Sequence, residues 1–225
     1  VLQKTPLTSP VPPAVHDLAI PSAAAFPGLP ASPASPGTPP GPALAAAGPG
    51  AAAIPHAEGV SDDEFRAAMS RLAAGVVLVT AHDPEDGPRG EDIGMTATAF
   101  LSVSLDPPLV LVSLRNDSRM DDVLAEVPVW AVSLLAENQR QIAGRFAMRN
   151  RVSDRLLFAD LPYRRGEHSD APLIGGALAT LECRTESRVV AGDHTLVIGR
   201  VLATELPRAE GGPLTYFRGN YRTLG

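Results

Sequence analysis

The chain has 225 residues and a formal charge of −6, with 44% hydrophobic, 20% charged and only 4% aromatic positions. Its single cysteine, Cys183, excludes an internal disulfide framework and a Cys-rich metal site. No stretch reaches the roughly 20 apolar residues of a membrane helix, and a pI near 5.3 argues against general nucleic-acid binding.

Residues 1–59 hold 14 of the 23 prolines, 15 alanines and 6 glycines, with charge only at Lys4, Asp17 and Glu58. Prolines at that density lack amide donors and restrict their predecessors, so a disordered, low-complexity tail is expected there. It shows no basic region followed by an apolar run, so no secretory signal is expected, and a soluble cytoplasmic protein is the default. A docking arm is the functional alternative for the tail. Residues 60–225 then read as one globular domain, long enough for a single well-buried core.

Ser61-Asp-Asp-Glu64 is a capping box opening a helix whose apolar face is Phe65, Met69 and Leu72, with Gly75 expected to end it. Val76–Thr80 reads as a buried strand, and His82–Asp92 as a turn region. Leu101–Leu105 alternates apolar and hydroxyl residues, which predicts a strand with its leucine and valine side packed. Asp106-Pro-Pro108 turns the chain into a second strand, Leu109–Val112. A helix is expected from Ser118, with Asp121 and Asp122 favourably placed near its N-terminus. Val129–Leu134 follows as a strand and Glu137–Arg149 as a helix. Ala177–Val190 and Thr195–Glu205 form two long strands around the hairpin signal Gly192-Asp193. Strands outnumber helices without strict alternation, which favours a mainly β closed barrel with peripheral helices over a doubly wound sheet.

Familiar nucleotide and hydrolase signatures are missing. No G-x-G-x-x-G follows a strand, and there is no Walker loop, H-E-x-x-H or G-x-S-x-G. The five histidines are scattered, so a dedicated zinc site is not expected. Chemistry in this chain therefore points to a bound organic cofactor or isolated acid–base groups.

An ordered series of segments supplies the missing direction. Phe65-Arg-Ala-Ala-Met-Ser, Gly75-Val-Val-Leu-Val-Thr and Gly94-Met-Thr-Ala-Thr-Ala-Phe-Leu-Ser-Val-Ser-Leu-Asp-Pro-Pro108 are followed by Asn116-Asp-Ser-Arg119, Asn138-Gln139, Arg145-Phe-Ala147, Leu181-Glu-Cys183, Gly192-Asp-His194 and Pro213-Leu-Thr-Tyr-Phe-Arg-Gly219. Together they resemble the flavin reductase family, the short NAD(P)H:flavin oxidoreductases. The resemblance covers residues 61–225 and none of the tail. It implies an FMN-binding split β-barrel, a homodimer, FMN or FAD as the flavin, and NADH or NADPH as hydride donor. Many family members hand reduced flavin to a separate monooxygenase.

The residues suit that chemistry. Ile93, Gly94, Met95, Thr96, Ala97, Thr98 and Ala99 are mostly small, so backbone amides there can approach an isoalloxazine ring, and the two threonines can add hydroxyl donors. Many relatives carry Ser or Asn where Ala99 stands, so one side-chain contact is expected to be missing. Ser118 and Arg119 lie at a predicted helix N-terminus, where free amides and the dipole favour an anion such as the flavin phosphate; a simple N-cap is the plainer role for Ser118. By resemblance, Ser113, Leu114, Arg115, Arg145 and Phe146 also line the flavin site, and Leu214, Thr215, Tyr216 and Phe217 belong to the donor side.

His194 closes the Gly192-Asp-His motif, whose family counterpart lies near the nicotinamide groove. Hydride transfer needs stacking and distance control more than a strong acid, so His194 is assigned to donor positioning, against the alternative of a turn residue. Cys183, in a strand, reads as core. Seven arginines between 140 and 165 read chiefly as a solvated face, with one or two left for phosphate recognition. Two other functions stay open at this level. One is a flavoprotein that holds flavin tightly and acts as oxidase or monooxygenase itself; the other is a non-catalytic flavin- or heme-binding protein.

Overall fold

The computed structural model describes residues 59–224, apart from 88, 149–152 and 208–209. The expectation of a disordered tail therefore falls outside the described residues. In chain order the elements are α1 (Asp62–Met69), β1 (Ala74–Gly75), β2 (Val77–Asp83), β3 (Glu91–Ala97), β4 (Phe100–Leu105) and β5 (Pro108–Arg115). Next come α2 (Arg119–Glu126), β6 (Val129–Leu134), a 3-10 turn (Glu137–Gln139), α3 (Arg140–Phe146) and α4 (Asp154–Phe158). The chain ends with β7 (Tyr163–Arg165), β8 (Pro172–Ile174), β9 (Ala179–Ala191), β10 (His194–Glu205), β11 (Thr215–Phe217) and β12 (Asn220–Arg222).

Seven strands form one sheet in the order β3-β2-β6-β9-β10-β5-β4, every pair antiparallel. Laid flat, such a sheet would hold its two edge strands about 29 Å apart. Those edges, β3 and β4, are joined by Thr98 and Ala99 alone, and the three Cα steps from Ala97 to Phe100 span at most about 11 Å. The sheet therefore has to curl until its edges meet at one end. The result is a barrel split between β3 and β4.

Alternation along the strands fills the barrel. Val77, Val79, Ile93, Val112, Leu114, Val132 and Val197 point inward, and Met120, Val123 and Leu124 of α2 join them. Trp130 is fully buried and donates its indole N–H to Thr185 Oγ1 at 3.1 Å. A Cβ on Gly199 would come within 2.5 Å of that ring, so glycine is required by the indole beside it. A second apolar layer lies on the outer face of β2, where Val76 and Leu78 pack with Phe146 of α3, Leu157 and Phe158 of α4, Ile174 and Leu214. Each fully buried large side chain of this kind stabilises the fold by about 1.5–3 kcal/mol.

The strand expectations hold within a few residues, and the β9–β10 hairpin turns at Gly192 with φ +66, a conformation that favours glycine. Three expectations need correction. The first helix keeps its capping box but stops at Met69 rather than Gly75, because Ala74 and Gly75 pair with Tyr216 and Thr215 of β11. Its apolar face is uncovered: Phe65 and Met69, with Leu72 just beyond, are exposed.

The second correction concerns β4. Leu101, Val103 and Leu105 are exposed rather than packed. Leu101 opposes Leu111 on the outer face, Phe100 opposes Val112 and turns inward, and an irregularity between Ser102 and Ser104 shifts the phase beyond. The third is the expected Glu137–Arg149 helix, which is a 3-10 turn continued by α3, ending at Phe146 where the Ala147 amide bonds back to Ala143 and Gly144. Arg149 itself lies outside the described residues.

Candidate functional site

A cleft of about 570 Å³ opens where three elements converge. Met95 and Thr96 of β3 form one wall, the end of α3 (Phe146, Ala147, Met148) a second, and the β5–α2 junction (Arg115, Asp117, Ser118, Arg119) a third. Ser153 and Asp154, at the start of α4, close it. One side is thus apolar and the other carries donors and charge.

The polar side is built by a helix start. Ser118 has extended backbone (φ −94, ψ 140) and accepts from the Asp121 amide at 3.2 Å, while its hydroxyl donates to the Arg115 carbonyl at 2.8 Å. The first amides of α2 have no intrahelical acceptor, so this end favours an anion. Arg115 pairs with Asp117 at 2.6 Å. Arg119 is gripped by three carboxylates from three elements: Asp86 of the β2–β3 turn, Glu91 of β3 at 2.7 Å and Asp154 of α4 at 3.2 Å. Burial works against the Arg119 charge, but Glu91, Asp154 and Asp86 outweigh it and raise its pKa. In turn the Arg119 guanidinium holds the Glu91 carboxyl below its usual 4.5.

Of the residues singled out in the sequence, the structure gathers Met95, Thr96, Arg115, Ser118, Arg119 and Phe146 around this cleft. Thr96 already donates its hydroxyl to the Ala143 carbonyl at 2.8 Å, so towards a ligand it can only accept. Phe146 is itself buried and lends the cleft only part of its ring. The remaining positions lie elsewhere. Ile93, Ala97 and Leu114 are barrel core, and Gly94 is covered by Phe146, whose ring would sit 2.6 Å from an added Cβ. Thr98 and Ala99 are exposed at the split. Ser113 is half-buried, its amide donating to the Ala99 carbonyl at 3.0 Å. Arg145 ties α3 to α4 by donating to the Leu157 and Ala159 carbonyls at 3.2 and 3.3 Å.

Of the residues expected on the donor side, His194 stands opposite the cleft-lining Arg115 in the β5–β10 ladder but does not itself line the cleft. Its Nδ1 lies 2.8 Å from Asp193 Oδ1, and that contact lowers the Asp193 pKa below 3.8. Leu214 is buried in the second core, Thr215 donates to the Arg222 carbonyl, and Tyr216 packs edge-on against Tyr221. Phe217 lies under Arg218. None of these four lines the cleft within this chain.

Sequence reasoning missed Asp117, Ala147, Met148, Ser153 and Asp154. Asp117 sits inside the Asn-Asp-Ser-Arg segment already noticed, and Ser153-Asp154 has the composition of a helix start; either could have been read as cleft-lining. Asp86 and Glu91 carried no such signal, because their tie to Arg119 spans 33 and 28 positions.

An apolar wall facing a helix N-terminus fits a flat ring carrying a phosphate arm. Comparison with known proteins points the same way. Residues 69–225 match the family described as the flavin reductase like domain. An NADH-dependent flavin reductase of Rhodococcus sp is 42% identical over 161 residues, covering 71% of this chain and 84% of that protein. The reductase component of the 4-hydroxyphenylacetate 3-monooxygenase of Thermus thermophilus is 37% identical over 162 residues, with coverage of 72% and 96%. Among solved structures, an NADH:FAD oxidoreductase of Streptomyces globisporus in complex with NAD and FAD fragments matches with a TM-score of 0.65. It is 34% identical, over 72% of this chain and 92% of that one. The flavin reductase component of a bacterial two-component tryptophan halogenase matches with a TM-score of 0.66 at 38% identity, over 73% and 98%.

Proposed function

We propose, from the premise that the chain belongs to the flavin reductase like family, that it is an NADH-dependent flavin reductase whose reduced product serves a separate monooxygenase. The observation that carries the site assignment is the pairing, in one cleft, of the Met95–Phe146–Met148 wall with the N-terminus of α2. FMN or FAD, held by Met95, Phe146, Ser118 and Arg119, would supply the hydride-accepting chemistry there, with NADH as the donor.

This chain's residues do the rest. The apolar wall shields one ring face from water, while Ser118, the α2 amides and Arg119 hold the phosphate end. His194, across the ladder from Arg115, sets where the nicotinamide lies. The relatives are named as NADH-dependent reductases, of FMN in some and FAD in others, which favours NADH as donor and leaves both flavins as acceptors.

Two copies of the chain are proposed to associate through the outer face of β4, β5, β10 and β9. Leu101, Leu111 and Ile198 align across one row there, and Leu196 and Val189 across the next. The activity is assigned to residues 60–225, so a chain shortened to begin at Val60 is expected to keep it. The test is NADH oxidation with and without added FMN or FAD. Turnover that depends on added flavin supports the diffusible-substrate reductase; turnover by a tightly held flavin with none added would replace it with a self-contained flavoenzyme.

A further inference from the structure

A second cleft, of about 730 Å³, lies on the other side of the Arg119 bridge. Its walls are the β2–β3 turn, the later part of α4, and β7. Charge pairing within it leaves a remainder. Asp92 is taken by Arg165, at 2.5 Å (Nη1–Oδ1) and 2.9 Å (Nη2–Oδ2), and also by His82 Nδ1 at 2.9 Å. Asp86 and Glu91 face Arg119 across the partition. Arg89 and Arg155 line the same cleft, and among the described residues neither guanidinium meets a carboxylate. Arg119 answers Asp86, Glu91 and Asp154, and Arg165 answers Asp92 and Asp170, so Arg89 and Arg155 are the two lining cations without a carboxylate partner.

Beside those cations stands an aromatic pair. The rings of Phe158 and Tyr163 lie 5.8 Å apart, inclined at 71°, with the Arg165 guanidinium 5.7 Å over Tyr163. The turn is fitted closely to this floor: Gly90, at φ +69, has no room for a Cβ, which would fall 2.5 Å from His82 Nε2. Two guanidinium groups match the charge of a phosphomonoester dianion, and an exposed ring edge matches a flat heterocycle. The volume is in the range of small-molecule sites.

We propose that this cleft is a second binding site, distinct from the flavin cleft, for a phosphomonoester of the nucleoside 5′-monophosphate class. Arg89 and Arg155 take the phosphate, and Tyr163, backed by the buried Phe158, takes the base. Helix α4 separates the two sites, giving Asp154 to one and Arg155 and Phe158 to the other.

The experiment titrates the full chain with 5′-AMP in a calorimeter, with the flavin cleft saturated by FMN. One AMP per chain is expected, with affinity falling as salt rises. Adenosine and inorganic phosphate should each bind about tenfold or more weakly than AMP, since each lacks half of the recognition. The double variant Arg89→Ala/Arg155→Ala alters two exposed side chains, so it should fold normally. It should weaken AMP about tenfold or more while FMN affinity stays constant. Absence of AMP binding, displacement of AMP by FMN, or unchanged AMP affinity in the double variant would each overturn the proposal. FMN binding is titrated separately, so a failure of the flavin assignment registers in that arm alone.

Discussion

His194 and Arg115 are directly opposed in the antiparallel β5–β10 ladder, although 79 positions separate them in the chain. Asn116 fixes that relationship. Its amide donates to the Asp193 carbonyl at 3.1 Å, its Nδ2 to the Gly192 carbonyl at 3.1 Å, and its Oδ1 accepts from Thr195 Oγ1 at 2.9 Å. The hairpin that carries His194 is thus bound to the loop that starts α2, and His194 is held in register with Arg115 of the cleft.

His194→Ala should therefore separate two affinities. His194 does not line the cleft, so flavin binding should stay within about twofold of the parent, while the proposed donor-positioning role predicts that the Michaelis constant for NADH rises about tenfold. A turn residue would instead lose thermal stability and keep its kinetics. Rapid-mixing reduction of bound flavin across a donor series reads these outcomes, and normal donor saturation would remove His194 from the site.

Arg119 makes the second prediction, through its three carboxylates. Arg119→Ala should weaken FMN about tenfold, the size of a lost charge-assisted hydrogen bond. It should also lower the melting temperature, because the bridge from Asp86 and Glu91 to Asp154 disappears. Glu91→Gln acts the opposite way on binding. It removes one of the carboxylates that neutralise the guanidinium, so FMN should bind a few-fold more tightly. Riboflavin, lacking the phosphate, serves as control and should respond to neither change. Parallel losses for FMN and riboflavin would show that Arg119 acts through the fold.

These two residues also show what was legible in advance. Ser118 and Arg119 were readable as a helix start because capping is local: the donor, the acceptor and the dipole all lie within four positions. The tie from Arg119 to Asp86 and Glu91 was not, since it depends on how β3 curls back over α2. The same distinction explains the strands. Val129–Leu134 is buried almost throughout and announces itself by composition, whereas the outward face of Leu101 and Leu105 depends on register with β5 and on a local irregularity. Likewise β1 exists only because Ala74 and Gly75 meet a strand some 140 positions later.

Gly199 tests the barrel interior. With the Trp130 ring 2.5 Å from where a Cβ would stand, Gly199→Ala has to displace the indole and strain its hydrogen bond to Thr185. Overpacking of this kind costs about 1–3 kcal/mol, readable by urea denaturation. The paired substitution Gly199→Ala/Trp130→Phe removes part of the offending ring and should recover some of that loss. No recovery would show that the two residues are not in conflict.

The last prediction concerns acid stability and rests on Glu182. Its side chain is buried in β9, and one oxygen, Oε2, accepts from the His168 amide at 2.9 Å, the Ser169 amide at 2.8 Å and the Ser169 hydroxyl at 2.8 Å. Gly166 leaves the space for it, since a Cβ there would stand 2.2 Å from that oxygen. Burial alone would push the Glu182 pKa up, but the hydrogen bonds from Ser169 and His168 outweigh it and hold the value below 4.5. A carboxyl whose pKa is lower folded than unfolded stabilises the fold at pH above its unfolded value, and loses that contribution as pH falls through the folded one. Glu182→Gln should accordingly cost about 1–3 kcal/mol at pH 7, measured by urea denaturation. The gap between variant and parent should narrow as pH is lowered below about 4.5, because the parent surrenders the same interaction by protonation. A gap of equal size at pH 7 and pH 3.5 would mean that the glutamine perturbs packing, and that the charge of Glu182 is not what anchors the 166–171 turn.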